Sequence, residues 1–438
     1  MCRTFSFLLK GNNKMEIIRS GGVEVTPDKM PKEEGFDQTL QLLKDGYHFI
    51  LNRENRFQSR VFETKLLAEK AICLLGKDEA ELFYDNQKFM RKGAAPKRIK
   101  KTLFGEGGVQ ALDGIPHQQR KEMFLFLMEE DSLNAVKTIL RDEWNKEFTQ
   151  PLQEINVYEA AKNVLARTAL RWTGIPFEHS EEWVEELAPM YEYASNIGIK
   201  HYQSRHARKT AEQWMKDLIQ DLRAGKLQVD NDSAFYRFAW QRDSNDELLD
   251  DEVVAVELLN LLRPITAVSV YISFLILAVH EFPIKADLLR GEEKAKWLEP
   301  FVEEVRRYYP FFPFVVARVK EDFEWKGYKF PKETLTLLDL YGTNHDPEIW
   351  TEPNEFNPER FLNWEKDLFA FIPQGGGHVA KGHRCPGERM TIEILKTTLD
   401  FFVNDIRYTL PEQDFSYSMN EIPSMPKSNL LIQQVTFV

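Results

Sequence analysis

Between Phe371 and Met390 the chain reads FIPQGGGHVAKGHRCPGERM, and the chemistry this stretch could carry centres on Cys385. Gly375, Gly376 and Gly377 let the backbone lie against something flat and bulky, where side chains would collide. His383 and Arg384 precede the cysteine, Pro386 and Gly387 follow it, and helical spacing resumes at Thr391, Ile392, Ile394, Leu395 and Leu399. A sulfur beside cations and a helix N-terminus is favoured as thiolate. A thiolate on a glycine platform with anion-binding neighbours offers a haem an axial ligand, room for the ring and partners for its propionates. A buried structural cysteine fits the same stretch equally well.

The second candidate is Arg263-Pro264, inside a segment from Val253 to His280 that is nearly free of charge after Glu257. A proline in a helix interior removes a hydrogen bond and kinks the helix at roughly 3 kcal/mol. An arginine in apolar surroundings must be paired, because an unpaired buried charge is very costly. No carboxylate lies one turn onward, Leu259 holds the i−4 position, and Glu257 is off-register. A salt bridge to a distant acid is one solution. An anionic ligand is the other, since a guanidinium fork matches a carboxylate bidentately.

Further groups recur along the chain. Glu303 to Pro310 holds two overlapping Glu-x-x-Arg pairs, and Phe356-Asn357-Pro358-Glu359-Arg360-Phe361 places another arginine in a turn-rich segment. Pairs spaced i,i+3 also decorate many solvated helices. His117 and Lys121 lie four apart, on one helix face. Arg91 to Lys101 is a basic run, either a solvated face or a local attractor of anions.

The elements that must position these groups are mostly helical. Apolar periodicity predicts helices over Phe36–Phe57, Lys77–Tyr84, from Asp113 onward, over Glu159–Gly174 and as a pair over Glu181–Leu222 broken near Gly198. Leu103–Gln110 is expected to be a glycine-punctuated loop, and Lys200, His201, Arg205, His206, Arg208 and Lys209 a positive patch on another. Val253–His280 reads as a central buried helix, because Glu257, Asn260 and Arg263 make it a poor membrane span. Two strands are expected within Val61–Leu75, with Cys73 in the core, and others over Val315–Val319, Phe323–Trp325 and Thr334–Leu340. The 438 residues carry no linker or repeat, and 31 phenylalanines suggest an aromatic-rich interior. Three cysteines provide no disulfide framework and fit a reducing compartment. A net charge of −12 argues against nucleic acid as principal partner. The expectation is a cytoplasmic protein without a membrane span, with residues 1–34 a loosely ordered extension and 35–438 one domain.

The order Glu-x-x-Arg, Pro-Glu-Arg-Phe, then a glycine-rich loop with Cys-x-Gly resembles the cytochrome P450 superfamily. The resemblance implies a mainly α fold with small β-sheets and a single haem-binding domain. It implies heme b ligated by Cys385, a network of Glu304, Arg307 and Arg360 behind the haem, and cofactor contacts from His117, Lys121, Arg91 and His383. Lys121 stands where the family carries arginine. Typical monooxygenases place an acid–alcohol pair in the long helix, whereas this chain has Arg263-Pro264, and Thr266 lacks an acidic neighbour. With the lengthened Cys loop, this resembles the bacterial fatty-acid peroxygenases. That likeness implies hydrogen peroxide in place of dioxygen and of any reductase or ferredoxin. It also implies a long-chain fatty acid whose carboxylate, held by Arg263 beside Pro264, serves as acid–base. Gln110, where the alkene-forming relative carries histidine, implies hydroxylation at the α or β carbon. Phe104 and Phe314 would line the substrate pocket, Phe104 being as readily a plain core aromatic. Oxidative decarboxylation to terminal alkenes and a non-enzymatic haem-thiolate sensor or carrier remain open.

Overall fold

The computed structural model describes residues 30–149, 154–177, 180–196 and 198–438. The expected extension, 1–34, lies largely outside these. Its last residues are anchored: Glu33 N donates to Glu63 O at 2.8 Å, and the buried Glu33 carboxylate pairs with Arg53 at 2.8 Å.

The fold is mainly α with small sheets. Strands β1 (Val61–Leu66), β2 (Glu69–Leu74), β3 (Phe89–Met90), β4 (Glu154–Asn156), β5 (Phe314–Val319), β6 (Phe323–Trp325), β7 (Tyr328–Phe330), β8 (Leu335–Asp339), β9 (Ile406–Thr409) and β10 (Leu431–Phe437) alternate with longer helices. They form a five-stranded sheet ordered β1-β2-β8-β5-β3, a three-stranded sheet β4-β10-β9 and the hairpin β6-β7. Within the first sheet β2 and β8 run parallel and the remaining pairs antiparallel. Buried β-branched and aliphatic residues fill β8, which carries water on neither face. Cys73 sits fully buried in β2, as its apolar run predicted.

The helical body surrounds Asp251–Ala267, the central helix. It continues after a turn at Val268 as Ser269–Glu281. This 31-residue stretch is the one helix among the described residues long and apolar enough to cross a membrane, and 89% of its apolar window is buried inside the protein. A helix apolar all round must be enclosed. Val157–Thr173 packs beside it, with Gly174 capping its end at φ +74°. Helix Ile199–Arg223, the roof helix, lies across it.

Three expectations change. The helix over 36–57 divides into Thr39–Asp45 and Phe49–Phe57, because Gly46 adopts φ +55° where any Cβ would strike the Met419 carbonyl. The 103–110 loop is shorter than expected: Lys100–Phe104 forms a wide helical turn and Val109–Ala111 a tight one. The positive patch from Lys200 to Lys209 is no loop but the first turns of the roof helix. The bend at Gly198 ends just before it, so Lys200, Arg205, His206 and Lys209 project outward while Arg208 turns inward and is 2% exposed.

Candidate active site

The Cys385 loop is tied down before its helix starts. Cys385 N donates to Gln374 O at 3.1 Å, and helix Glu388–Asp400 begins three residues on. Cys385 keeps some accessible surface, but its sulfur lies deep in protein, and depth decides its desolvation. Burial pushes the thiol upward and Glu388 adds to this, outweighing the Gly387 amide, Lys121 and Arg306. The thiolate expected from the sequence is therefore not favoured by these neighbours alone. The three glycines are explained differently too: a Cβ at Gly375 would come 2.8 Å from Tyr84 Oη, and one at Gly376 3.0 Å from the same ring. Tyr84 is the flat neighbour they accommodate.

Glu304 and Arg307 are buried, and the half-buried Arg360 joins them as a trio. Arg307 Nε and Nη2 each donate to the Glu304 carboxylate at 2.8 Å, and Arg360 Nε reaches it at 3.2 Å. Arg307 Nη1 also ties down the carbonyls of Asn344 and Pro353 at 3.0 and 2.8 Å. The neighbouring pair Glu303–Arg306, the other Glu-x-x-Arg register, is also buried and points at the cysteine loop. Arg306 Nη2 bonds Gln374 Oε1 at 2.9 Å and Glu388 Oε1 at 2.5 Å, while Gln374 Nε2 lies 3.9 Å from Cys385 Sγ. Sequence reasoning missed Gln374 and Glu388. The available signal was two Glu-x-x-Arg registers, both of which are used.

Beside the loop, His117 and His383 stack with centroids 4.0 Å apart. Burial pushes them down to about 3 and about 4, so both are neutral imidazoles near pH 7. His383 Nε2 sits 3.4 Å from Asp113 Oδ1 and donates to it as a neutral N–H. Asp113, read only as a helix start, also accepts the backbone N–H groups of Arg91 and Lys92 at 2.8 to 3.0 Å. Lys121 is 1% exposed, bonds the carbonyls of Gly382 and Arg384, and is pushed by burial down to about 8. Arg91 is buried over the Phe83 ring at 4.4 Å, its Nη1 has no partner, and burial pushes it down to about 10. Two buried cations whose side chains meet no carboxylate, close to a buried sulfur, suit a group bearing both a metal and carboxylates. Heme b is such a group, and these residues fit it.

On the central helix, Arg263 is 5% exposed, its Nε has no partner, and it makes no hydrogen bond or ion pair among the described residues. Burial, then the nearby Arg208 charge, pushes it down to about 9, while Cys385 is near enough to oppose this. The distant-acid solution is thus not the one adopted. The one acid nearby on its helix, Glu257, is instead bound by Arg120 Nη1 at 2.8 Å. Pro264 cannot donate to the Asn260 carbonyl, and the helix yields at Val268, whose N–H takes the three-residue bond to Ile265 O. Thr266 Oγ1 is engaged by Leu262 O at 3.0 Å. Gln110 Oε1 accepts from Asn260 Nδ2 at 3.3 Å, and Phe104 packs on the same helical core. Phe314 does not join them: it packs beneath the large sheet with Phe49, Ile50 and Phe62.

Comparison with known proteins bears on this arrangement. Residues 293–432 match the cytochrome P450 family profile, a span that includes Glu304, Arg307, Arg360 and Cys385 but not Arg263. Cytochrome P450 71A8 of Mentha piperita is 32% identical over 138 residues, covering 30% of this chain and 27% of that protein. Tabersonine/lochnericine 19-hydroxylase of Catharanthus roseus is 34% identical over 125 residues, 27% of this chain and 24% of that one. These matches span about a quarter of the curated relatives' length. Solved structures align almost throughout. Cytochrome P450EX alpha (CYP152N1) with myristic acid is 48% identical, with a TM-score of 0.91, over 93% of this chain and 99% of that one. Cytochrome P450SP alpha (CYP152B1) with (R)-ibuprophen is 41% identical, with a TM-score of 0.88, over 92% and 99%. Cytochrome P450 OleT with arachidonic acid is 35% identical, with a TM-score of 0.90, over 93% and 99%.

Proposed function

This chain belongs to the cytochrome P450 superfamily, within its fatty-acid peroxygenase family, and from that premise we propose that it hydroxylates long-chain fatty acids at the α or β carbon using hydrogen peroxide. One observation carries the reading. Arg263 is a buried guanidinium without a counter-anion, because the acid nearby on its helix is held by Arg120. A site that maintains an unpaired buried cation is built for an incoming anion.

Cys385 Sγ would hold the iron of heme b, and Arg91, Lys121, His117 and His383 would surround its carboxylates. The bound cofactor supplies an iron centre at which peroxide oxygen is made reactive toward C–H bonds. Arg263 would grip the fatty-acid carboxylate and so fix which carbons of the chain are presented for oxidation, much of the rate coming from positioning. No side chain on the helix offers a free acid–base: Thr266 is engaged by backbone and Glu257 by Arg120. The substrate carboxylate, held by Arg263, would take the proton from peroxide and deliver it to the oxygen that leaves as water, the other oxygen being the one inserted into the C–H bond. Peroxide thereby replaces dioxygen and reductase together.

Gln110 distinguishes hydroxylation from decarboxylation to an alkene. Its carboxamide cannot serve as a proton donor as an imidazolium can. A direct test is titration of the haem-loaded protein with myristate, followed by haem absorbance. A saturable shift in the wild type that is absent from Arg263→Ala supports the reading; identical titrations would leave a sensor or carrier without a carboxylate anchor.

A further inference from the structure

Behind Gln110 runs a polar chain that the mechanism above does not use. Glu257 is fully buried, and its carboxylate takes Arg120 Nη1 at 2.8 Å and Asn260 Nδ2 at 3.0 Å. The same Asn260 Nδ2 donates onward to Gln110 Oε1 at 3.3 Å. Asn260 Oδ1 is buried without a partner, and Gln110 Nε2 makes no hydrogen bond to another described residue.

These facts fix the polarity of two amides. Glu257 accepts from Arg120 Nη1 and from Asn260 Nδ2, so Asn260 presents its NH2 group to the acid; burial pushes the Glu257 carboxyl up, and these donors oppose that. Its second N–H then faces Gln110, which must answer with its oxygen. The Gln110 NH2 group is left pointing away from the chain, free to donate. Gly108 makes the contact possible: a Cβ there would lie 3.0 Å from both Asn260 Nδ2 and Gln110 Oε1. An unpartnered buried acceptor is costly, so the orientation of Asn260 is imposed by its neighbour rather than chosen for its own bonding.

We propose that Glu257 and Asn260 are positioning residues that hold the Gln110 carboxamide with its NH2 group toward the substrate, and so set where on the fatty acid oxygen is inserted. This rests on the function proposed above and adds to it the source of regioselectivity. Replacing the acid by its amide would reverse the polarity along the whole chain. In Glu257→Gln the single oxygen stays with Arg120 and an NH2 faces Asn260, which turns its oxygen. Gln110 then turns its NH2 inward and presents oxygen to an anionic substrate, a repulsive contact.

The test is a double-mutant cycle on the haem-loaded full chain: wild type, Glu257→Gln, Gln110→Leu and the double variant. Two quantities are read. One is the myristate dissociation constant from haem absorbance without peroxide. The other is the ratio of 2-hydroxy to 3-hydroxy product with peroxide. Glu257→Gln is expected to weaken binding by about tenfold and to shift the ratio, with the double variant no worse than Gln110→Leu alone. Additive effects, or an unchanged ratio and affinity in Glu257→Gln, would overturn the proposal. Should that variant fail to fold, Asn260→Leu removes the donor to Gln110 Oε1 without replacing the acid; a shift in the ratio supports the proposal and an unchanged ratio overturns it. A wild type that binds myristate but forms no hydroxy acid would sink the proposed function, while the binding arm of the cycle would still decide the positioning role.

Discussion

Arg120 Nη1 binds Glu257 Oε1 at 2.8 Å across 137 residues of sequence, and that contact leaves Arg263 uncompensated on the same helix. Glu257, the acid nearest Arg263 along the helix, could have neutralised it. Here the acid faces one way and the arginine another, because six residues on a helix of 3.6 per turn set the two side chains about 120° apart around the axis. The buried interior around Arg263 inherits a positive charge from this geometry.

Arg263→Ala is expected to cost two to three orders of magnitude in kcat/KM on fatty acids. Stranding one partner of a buried charge pair costs about 3–5 kcal/mol, and about 1.4 kcal/mol is a factor of ten. Haem content should be unchanged, since Arg263 makes no contact that holds the fold. Steady-state kinetics beside the haem-to-protein absorbance ratio checks both; equal losses of haem and activity would assign Arg263 to folding.

Glu304→Gln removes the acid that two guanidiniums share. Glu304 and Arg307 are fully buried, with Arg360 close behind. A loss of about 3–5 kcal/mol is expected from the uncompensated cations, measured as the shift in urea midpoint times the denaturant slope. A loss under about 1 kcal/mol, the range of an exposed pair, would show that the trio adds little.

Asp339 makes stability depend on pH. It is fully buried at the end of β8, Oδ1 accepts from Gly342 N at 2.7 Å, and Oδ2 has no partner. Burial pushes its carboxyl up to about 8. Between about 4, its unfolded value, and about 8 the native state keeps a proton that the unfolded state has lost. Stability therefore falls as pH rises through that window, by up to about 1.4 kcal/mol per unit. Asp339→Asn keeps the cap to Gly342 and should flatten the slope, being more stable than wild type near pH 8. Parallel pH profiles of thermal unfolding in the two proteins would contradict this.

What could be read from sequence was what is local or motif-bound. The helices with clean periodicity and the strand pair over Val61–Leu75 stand near their expected bounds, and Glu304, Arg307 and Arg360 do meet. What could not be read depends on contacts distant in sequence. Arg306 reaches Glu388 across 82 residues, and nothing local distinguishes it from a solvated i,i+3 pair. Only the start of the roof helix departs from expectation: exposed cations make Lys200–Lys209 resemble a loop, whereas Ser204, Ala207, Arg208 and Ala211 bury its inner face. Phe314 opens β5, half-buried against the cluster beneath the large sheet, a placement that depends on strand pairing distant in sequence. The glycine triplet leaves room for a flat neighbour, and among the described residues the ring lying against it is Tyr84, nearly three hundred residues away.

Incubation of the haem-loaded protein with myristate and hydrogen peroxide, without any reductase, followed by chromatographic identification of products, tests the central claim most directly. Hydroxymyristate bearing the new hydroxyl at C2 or C3, lost in Arg263→Ala, is the predicted result. Predominant terminal alkene one carbon shorter, or consumption of neither peroxide nor fatty acid, would contradict it.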